Sequence, residues 1–243
     1  MDEKLEAMRE GGRKLALIKR RLVELSKRER RLSRLDEQVT VWMRAAGGEP
    51  SFRTVPGYRW ATCITINDEV VHGIPRGSIK RGDLVTVDLG LKFKGYHTDT
   101  ATSFVVGRST QKQWEFLKVG RRALKVALGV ILPGRRVGDI SQAIQTTLLT
   151  GGVYPVKELT GHGVGRQLHE EPAIPGWVTG GREMRVVLTI GMTIAVEVIY
   201  TASETKLKIS EDGWTMKTVD GSLSAVFEET VAVTKRGMEV LTN

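Results

Sequence analysis

The chain has 243 residues, 40% of them hydrophobic and 27% charged, an ordinary globular balance with enough length for a sizeable core. Its one cysteine, Cys63, excludes an internal disulfide framework or cysteine zinc site and suits a reducing compartment. The formal charge of +9 is compatible with attraction to nucleic acid or the ribosome surface. No nucleic-acid motif or aromatic-interleaved basic stripe accompanies it, so a solvated basic surface is the simpler expectation.

Residues 1–46 read as two helices. Leu15, Ile18, Leu22 and Leu25 recur at spacings of three and four, the period of one helix face. Lys27-Arg28-Glu29-Arg30-Arg31 breaks the pattern. Ser33, with Asp36 three positions on, is then expected to cap a second helix through Leu35, Val39 and Trp42, ending at Gly47-Gly48. Residues 1–37 hold 12 Lys/Arg and 8 Asp/Glu, which suggests a solvated helix face. The charge-dense first thirty residues do not read as a signal peptide. The longest later apolar run, Val126 to Leu132, is too short to cross a bilayer, so no membrane contact and a cytosolic location are expected.

Strands are expected at Cys63–Ile66, Val70–Pro75, Leu84–Leu89 and Thr98–Val106. Helix returns over 111–150, broken at Pro133-Gly134, and strands and loops fill 153–200 and 207–235. The order helix, helix, strands thus occurs twice. Gly12-Arg13-Lys14 answers Gly120-Arg121-Arg122, and Leu32-Ser33 answers Ile140-Ser141, at one constant offset. An internal duplication would place a site at the junction of two α-β halves.

Val87-Asp88 and Thr98-Asp99 lie on the arms of a predicted hairpin with Gly95 at its tip. A turn centred on Phe93 and Lys94 makes Asp88 and Asp99 direct cross-strand partners, about 5 Å apart at Cβ. Such a pair requires a shared proton, a basic side chain or a metal. Glu197 stands alone in the apolar run Thr193–Tyr200, and Glu228 and Glu229 point to opposite faces of another strand. Among the four histidines, His162 is distinctive, because its flanking glycines allow close backbone approach to a ligand. Asp88, Asp99, His162, Glu197 and Glu228 form an oxygen-rich set with one imidazole. It suits a pair of divalent ions such as Mn²⁺, Fe²⁺ or Co²⁺ better than a lone structural Zn²⁺; Zn²⁺ within such a pair stays open.

Taken in order, Asn67-Asp68-Glu69-Val70-Val71-His72-Gly73-Ile74-Pro75, Val87-Asp88, Thr98-Asp99-Thr100, Gly161-His162-Gly163-Val164-Gly165, His169-Glu170-Glu171-Pro172, Glu197, Asp212-Gly213-Trp214-Thr215 and Ser224-Ala225-Val226-Phe227-Glu228 resemble the type I methionine aminopeptidases. The resemblance runs from about residue 10 to the C-terminus. It implies the pita-bread fold, an α/β (α+β) architecture of pseudo-two-fold duplicated halves around a curved antiparallel sheet, with residues 1–243 as a single catalytic domain. It also implies roles. Asp88 would chelate one metal, Asp99 and Glu228 would bridge, and His162 and Glu197 would hold the other. Water or hydroxide between the ions would attack the first peptide bond, with Glu197 as general base. His169 would meet the substrate carbonyl or tetrahedral intermediate, and His72 the scissile amide or substrate amine. Tyr58, Cys63, Leu168 and Trp214 would line the methionine pocket.

The implied activity is removal of N-terminal methionine from nascent chains by a cytoplasmic monomer, with ribosome contact through the basic N-terminal helices as a further expectation. The chain departs from the family pattern at Val198, Leu168, Val55 and the 27–31 segment; none is a ligand position. Two other readings are a proline-directed peptidase of the same fold, and a non-catalytic pita-bread module binding RNA, ribosome or protein.

Overall fold

The computed structural model describes residues 3–243. The first half runs α1 (Glu3–Ser26), α2 (Leu32–Ala45), β1 (Glu49–Pro50), β2 (Thr62–Ile66), β3 (Glu69–Val71), β4 (Leu84–Phe93) and β5 (Tyr96–Val105). The second runs α3 (Gln111–Gly129), α4 (Val137–Thr150), β6 (Tyr154–Pro155), β7 (Thr160–Gly163), β8 (Glu170–Pro175), β9 (Thr193–Thr201), β10 (Leu207–Ile209), β11 (Met216–Thr218), β12 (Ser224–Thr234) and β13 (Gly237–Val240). The repeated order of helix pair and antiparallel strands is therefore real. Gly12 and Gly120 both lie buried inside the first helix of their half.

Each half has its own core. Leu15, Ile18 and Leu22 of α1 and Leu35 and Val39 of α2 pack on Val85, Val87 and Leu89 of β4. Ala123 and Ala127 of α3 and Ile140 and Ile144 of α4 pack on Val196 and Val198 of β9. The helices are amphipathic because their burial is one-sided.

The structure departs from several sequence expectations. The hairpin turn centres on Lys94 and Gly95, with φ of 49° and 81°, and Phe93 pairs with Tyr96. A two-residue turn with positive φ at both positions matches strand twist, and Phe93 packs in the first core instead of entering the turn. Asp88 consequently opposes Ala101 and Asp99 opposes Gly90. The aspartates are diagonal neighbours on one face, not direct partners. The direct acidic pair is Glu197 opposite Glu228. Ser33 does not cap α2, whose N-cap is Arg31. Asp36 is instead buried and accepts hydrogen bonds from Ala61 N (2.8 Å), Thr62 N (2.9 Å) and Thr62 Oγ1 (2.8 Å). The expected strand Val70–Pro75 stops pairing at Val71, because His72 turns the chain at φ 57°.

The halves meet where β5 lies beside β12. The two strands share no backbone ladder; hydroxyls join them. Thr230 Oγ1 accepts from Asp99 N and donates to Asp99 O, both at 2.8 Å. Thr100 Oγ1 donates to Glu228 O at 2.9 Å. Ser103 Oγ donates to Val226 O and accepts from Val226 N, both at 2.9 Å. Each strand thus grips the other at its acidic residue. Buried backbone groups need such partners.

Thr230→Val keeps the shape and removes both bonds to Asp99. It is expected to cost about 2–4 kcal/mol in urea unfolding. A loss below about 0.5 kcal/mol would contradict the role given to the seam.

Candidate metal centre and substrate pocket

Strand geometry gathers five sequence-predicted ligands. Asp88 and Asp99 share one face of the first hairpin. Glu197 and Glu228 face each other across β9 and β12. His162 opposes Ala195, two residues from Glu197 and hence on the same face. All five line one cavity of about 410 Å³. Ligand atoms of Asp99, His162 and Glu228 lie within 4.8 Å of one another.

The glycines beside His162 serve strand packing. A Cβ on Gly161 would stand 2.5 Å from Ala195 O, and one on Gly163 would stand 2.3 Å from Glu171 O. They let β7 press between its neighbouring strands, which fixes His162. His162 Nδ1 lies 2.8 Å from Gly163 O. A carbonyl only accepts, so Nδ1 carries the proton and Nε2 presents a lone pair. Nε2 lies 3.4 Å from Glu197 Oε1. Burial lowers the His162 pKa to about 4, leaving a neutral imidazole suited to ligation.

The donor set fits a divalent cation. Asp88 Oδ1 and Glu228 Oε1 are buried and have no hydrogen-bond partner among the described residues, which is costly unless a cation or proton meets them. Hard oxygen donors with one imidazole suit a hard-to-borderline metal.

The rest of the cavity is an apolar slot. Phe52, Val55, Tyr58, Cys63, Leu168 and Trp214 line it, with Ile74 and Trp60 packed behind them. Tyr58 and Trp214 meet edge to face at 5.1 Å. The Tyr58 hydroxyl lies 2.9 Å from Thr62 O and 3.1 Å from Gly73 O, so its ring is held from behind. Cys63 sits opposite Asp88 in the β2–β4 ladder, where burial pushes its thiol pKa up. The β10–β11–β3 sheet pairs Met216 with Val71 and brings the Trp214 turn beside His72. His72 and His169 are exposed at the cavity mouth, and the His169 ring packs edge to face on His162 at 4.5 Å.

The model for metallopeptidase family M24 matches residues 6–235. The chain belongs to that family. Methionine aminopeptidase 1 of Bacillus subtilis is 37% identical over 239 residues, covering 98% of this chain and 96% of the relative. Methionine aminopeptidase of Aquifex aeolicus is 41% identical over 198 residues, covering 81% and 76%. The crystal structure of methionine aminopeptidase from Thermotoga maritima superposes with a TM-score of 0.95 at 36% identity, covering 100% and 98%. Prolidase from Pyrococcus furiosus gives a TM-score of 0.81 at 23% identity and shares the fold; the chain spans 64% of its length.

Every predicted site residue of this M24 peptidase lines the one cavity: Asp88, Asp99, His162, Glu197, Glu228, His72, His169, Tyr58, Cys63, Leu168 and Trp214. Of the family departures, Leu168 and Val55 reach it, whereas Val198 points into the second core. Phe52, Val71, Leu159, Thr160 and Ile199 also line the cavity and were missed by the sequence reading. Ile199 carried a usable signal, since it stands two residues from Glu197 on one strand face.

Four clustered carboxylates cannot all ionise without a cation. Burial raises the Asp88 pKa to about 7. It raises Asp99 well above the usual range, with Asp88 and Glu197 adding repulsion. Glu197 and Glu228 are likewise pushed well up by burial first and acidic neighbours second. Raised carboxylate pKa values mean that the folded state holds protons the unfolded chain releases near about pH 4. The four histidines, whose pKa values are lowered in the fold, work the other way below their ordinary pKa of about 6.5, so the carboxylates decide the slope above it. The Tm of chelator-treated protein is expected to drop between about pH 6.5 and pH 8.5, and saturating Mn²⁺ should remove most of the slope. A metal-free Tm that is flat or rises over that range would contradict this.

Proposed function

We propose that this M24 metallopeptidase removes N-terminal methionine from nascent proteins, with residues 1–243 acting as one catalytic unit. The observation that carries the reading is the joining of two features in one cavity. A carboxylate-imidazole cluster with orphaned buried oxygens forms its floor, and an apolar slot opens beside it. An unbranched thioether side chain suits such a slot. The near-complete length match to methionine aminopeptidases supports this over a proline-directed peptidase, whose solved representatives share the fold at low identity. A non-catalytic module is disfavoured by the complete ligand set.

In this reading Asp88, Asp99, His162, Glu197 and Glu228 would hold two divalent ions, of Mn²⁺, Fe²⁺, Co²⁺ or Zn²⁺. The bound ions supply a Lewis acid and a nucleophilic water at neutral pH. The residues supply the remainder. Tyr58, Cys63, Leu168 and Trp214 orient the methionine side chain. Glu197 accepts the proton of the attacking water. Partial desolvation at the cavity lowers the pKa of His169 although its side chain is accessible, so it is neutral at pH 7 and donates one hydrogen bond to the carbonyl oxygen as negative charge grows there. Burial and His169 also lower the pKa of His72, which lets it accept from or donate to the scissile amide. A cytosolic monomer and ribosome contact by the basic N-terminal helices belong to the same reading.

Protein loaded with Mn²⁺ or Co²⁺ is expected to cleave Met-Ala-Ser and Met-Gly peptides and to stop when a chelator is added. Preferred cleavage of an Xaa-Pro dipeptide would overturn the methionine assignment.

His169→Ala should lower kcat by about 10²–10³-fold with metal content and KM little changed. A kcat within about threefold of the parent would remove His169 from the oxyanion role.

A further inference from the structure

The buried stripe of α1 contains one charged residue, Lys19, whose side chain is 11% exposed. Its ammonium donates to Thr100 Oγ1 at 2.5 Å and to Glu229 Oε1 at 3.0 Å. Thr100 adjoins Asp99, and Glu229 adjoins Glu228. Strand alternation sends Thr100 and Glu229 to the face opposite the cavity. The second Glu229 oxygen lies 3.2 Å from Thr100 Oγ1 and also accepts from the Thr242 hydroxyl. Thr242 Oγ1 in turn accepts from Thr230 N at 3.0 Å. One cation on a helix therefore ties β5, β12 and the C-terminal segment together directly behind Asp99 and Glu228.

We infer that Lys19 is a positioning residue for the metal site, fixing the spacing of Asp99 and Glu228 from behind the sheet. This rests on the metal-centre reading above. Metal ligands must be held to within about 0.5 Å, yet the seam between β5 and β12 has no backbone ladder to set its width. The ammonium occupies a lone pair of Thr100 Oγ1, which leaves the single Thr100 proton for Glu228 O, 2.9 Å away, or for Glu229. The pair is charge-neutral, so its contribution is to geometry and not to net charge. Stability alone is a poor reason for a buried ion pair, because apolar replacements of similar volume are often as stable.

The test is the full-length Lys19→Met/Glu229→Gln double variant, which removes the tie at constant net charge. Isothermal titration with Mn²⁺ and the visible spectrum of the Co²⁺-loaded form are the readouts, with Tm measured metal-free and Mn²⁺-loaded. The expected result is at least a fivefold weaker Mn²⁺ Kd, a Co²⁺ spectrum changed in position or intensity, and a larger Tm loss in the loaded form than in the metal-free form. Glu229→Gln alone, isosteric and milder, should move the Co²⁺ spectrum in the same direction. If both variants bind Mn²⁺ within twofold of the parent, with superimposable Co²⁺ spectra and equal Tm losses in the two forms, Lys19 serves packing only and the inference falls. A parent protein that takes up no Mn²⁺ would overturn the metal-centre reading itself, and this inference with it.

Discussion

The structure depends on a seam made of hydroxyls. Two antiparallel half-sheets abut at β5 and β12, and Thr100, Ser103 and Thr230 supply the bonds a strand ladder would otherwise give. This arrangement matters because the seam is where acidic residues from both halves converge. Asp99 is gripped through its own backbone by Thr230, and Glu228 through its carbonyl by Thr100. Neither half holds all the cavity's acidic residues, so the cluster exists only while the seam is closed.

Charge gives the seam its purpose. Asp88, Asp99, Glu197 and Glu228 are crowded in one cavity, and each resists ionisation because burial favours its neutral form. A fold without a cation partner would gain by losing one of these groups. The imidazole of His162 is held by Gly163 O in the tautomer that offers Nε2 to the same space. On the opposite face the half-buried Glu229 is met differently, by a lysine. Adjacent glutamates on one strand thus differ: Glu228 faces the acidic cavity, and Glu229 is paired with a lysine of the chain.

Much of this was legible in the sequence, for local reasons. Helix faces follow from periodicity, and Leu15, Ile18 and Leu22 are buried as read. The hairpin was visible, but its register was not, because turn geometry at Lys94-Gly95 sets it and a shift of the turn centre slides every pair. Asp36 looked like a cap from its spacing to Ser33. Its actual partners, Ala61 and Thr62, lie 25 and 26 residues away in sequence. Thr230 and Asp99 are 131 residues apart, and no local pattern reports such a bond. Lys19 did carry a signal: it falls four residues after Leu15 on the apolar face, where a charge requires a partner. The strongest information was the ordered set of motifs, since spacing alone would have left the hairpin acids with a proton, a base or a metal.

The central claim is that the acidic residues of both halves jointly hold cations at the seam. Anomalous diffraction from crystals grown with Mn²⁺ tests it most directly. The account predicts two anomalous peaks in the cavity, both within bonding distance of Asp99 and Glu228 carboxylate oxygens, with Asp88 on one ion and His162 on the other. Absence of a peak there, or a peak bound by residues of only one half, would contradict it.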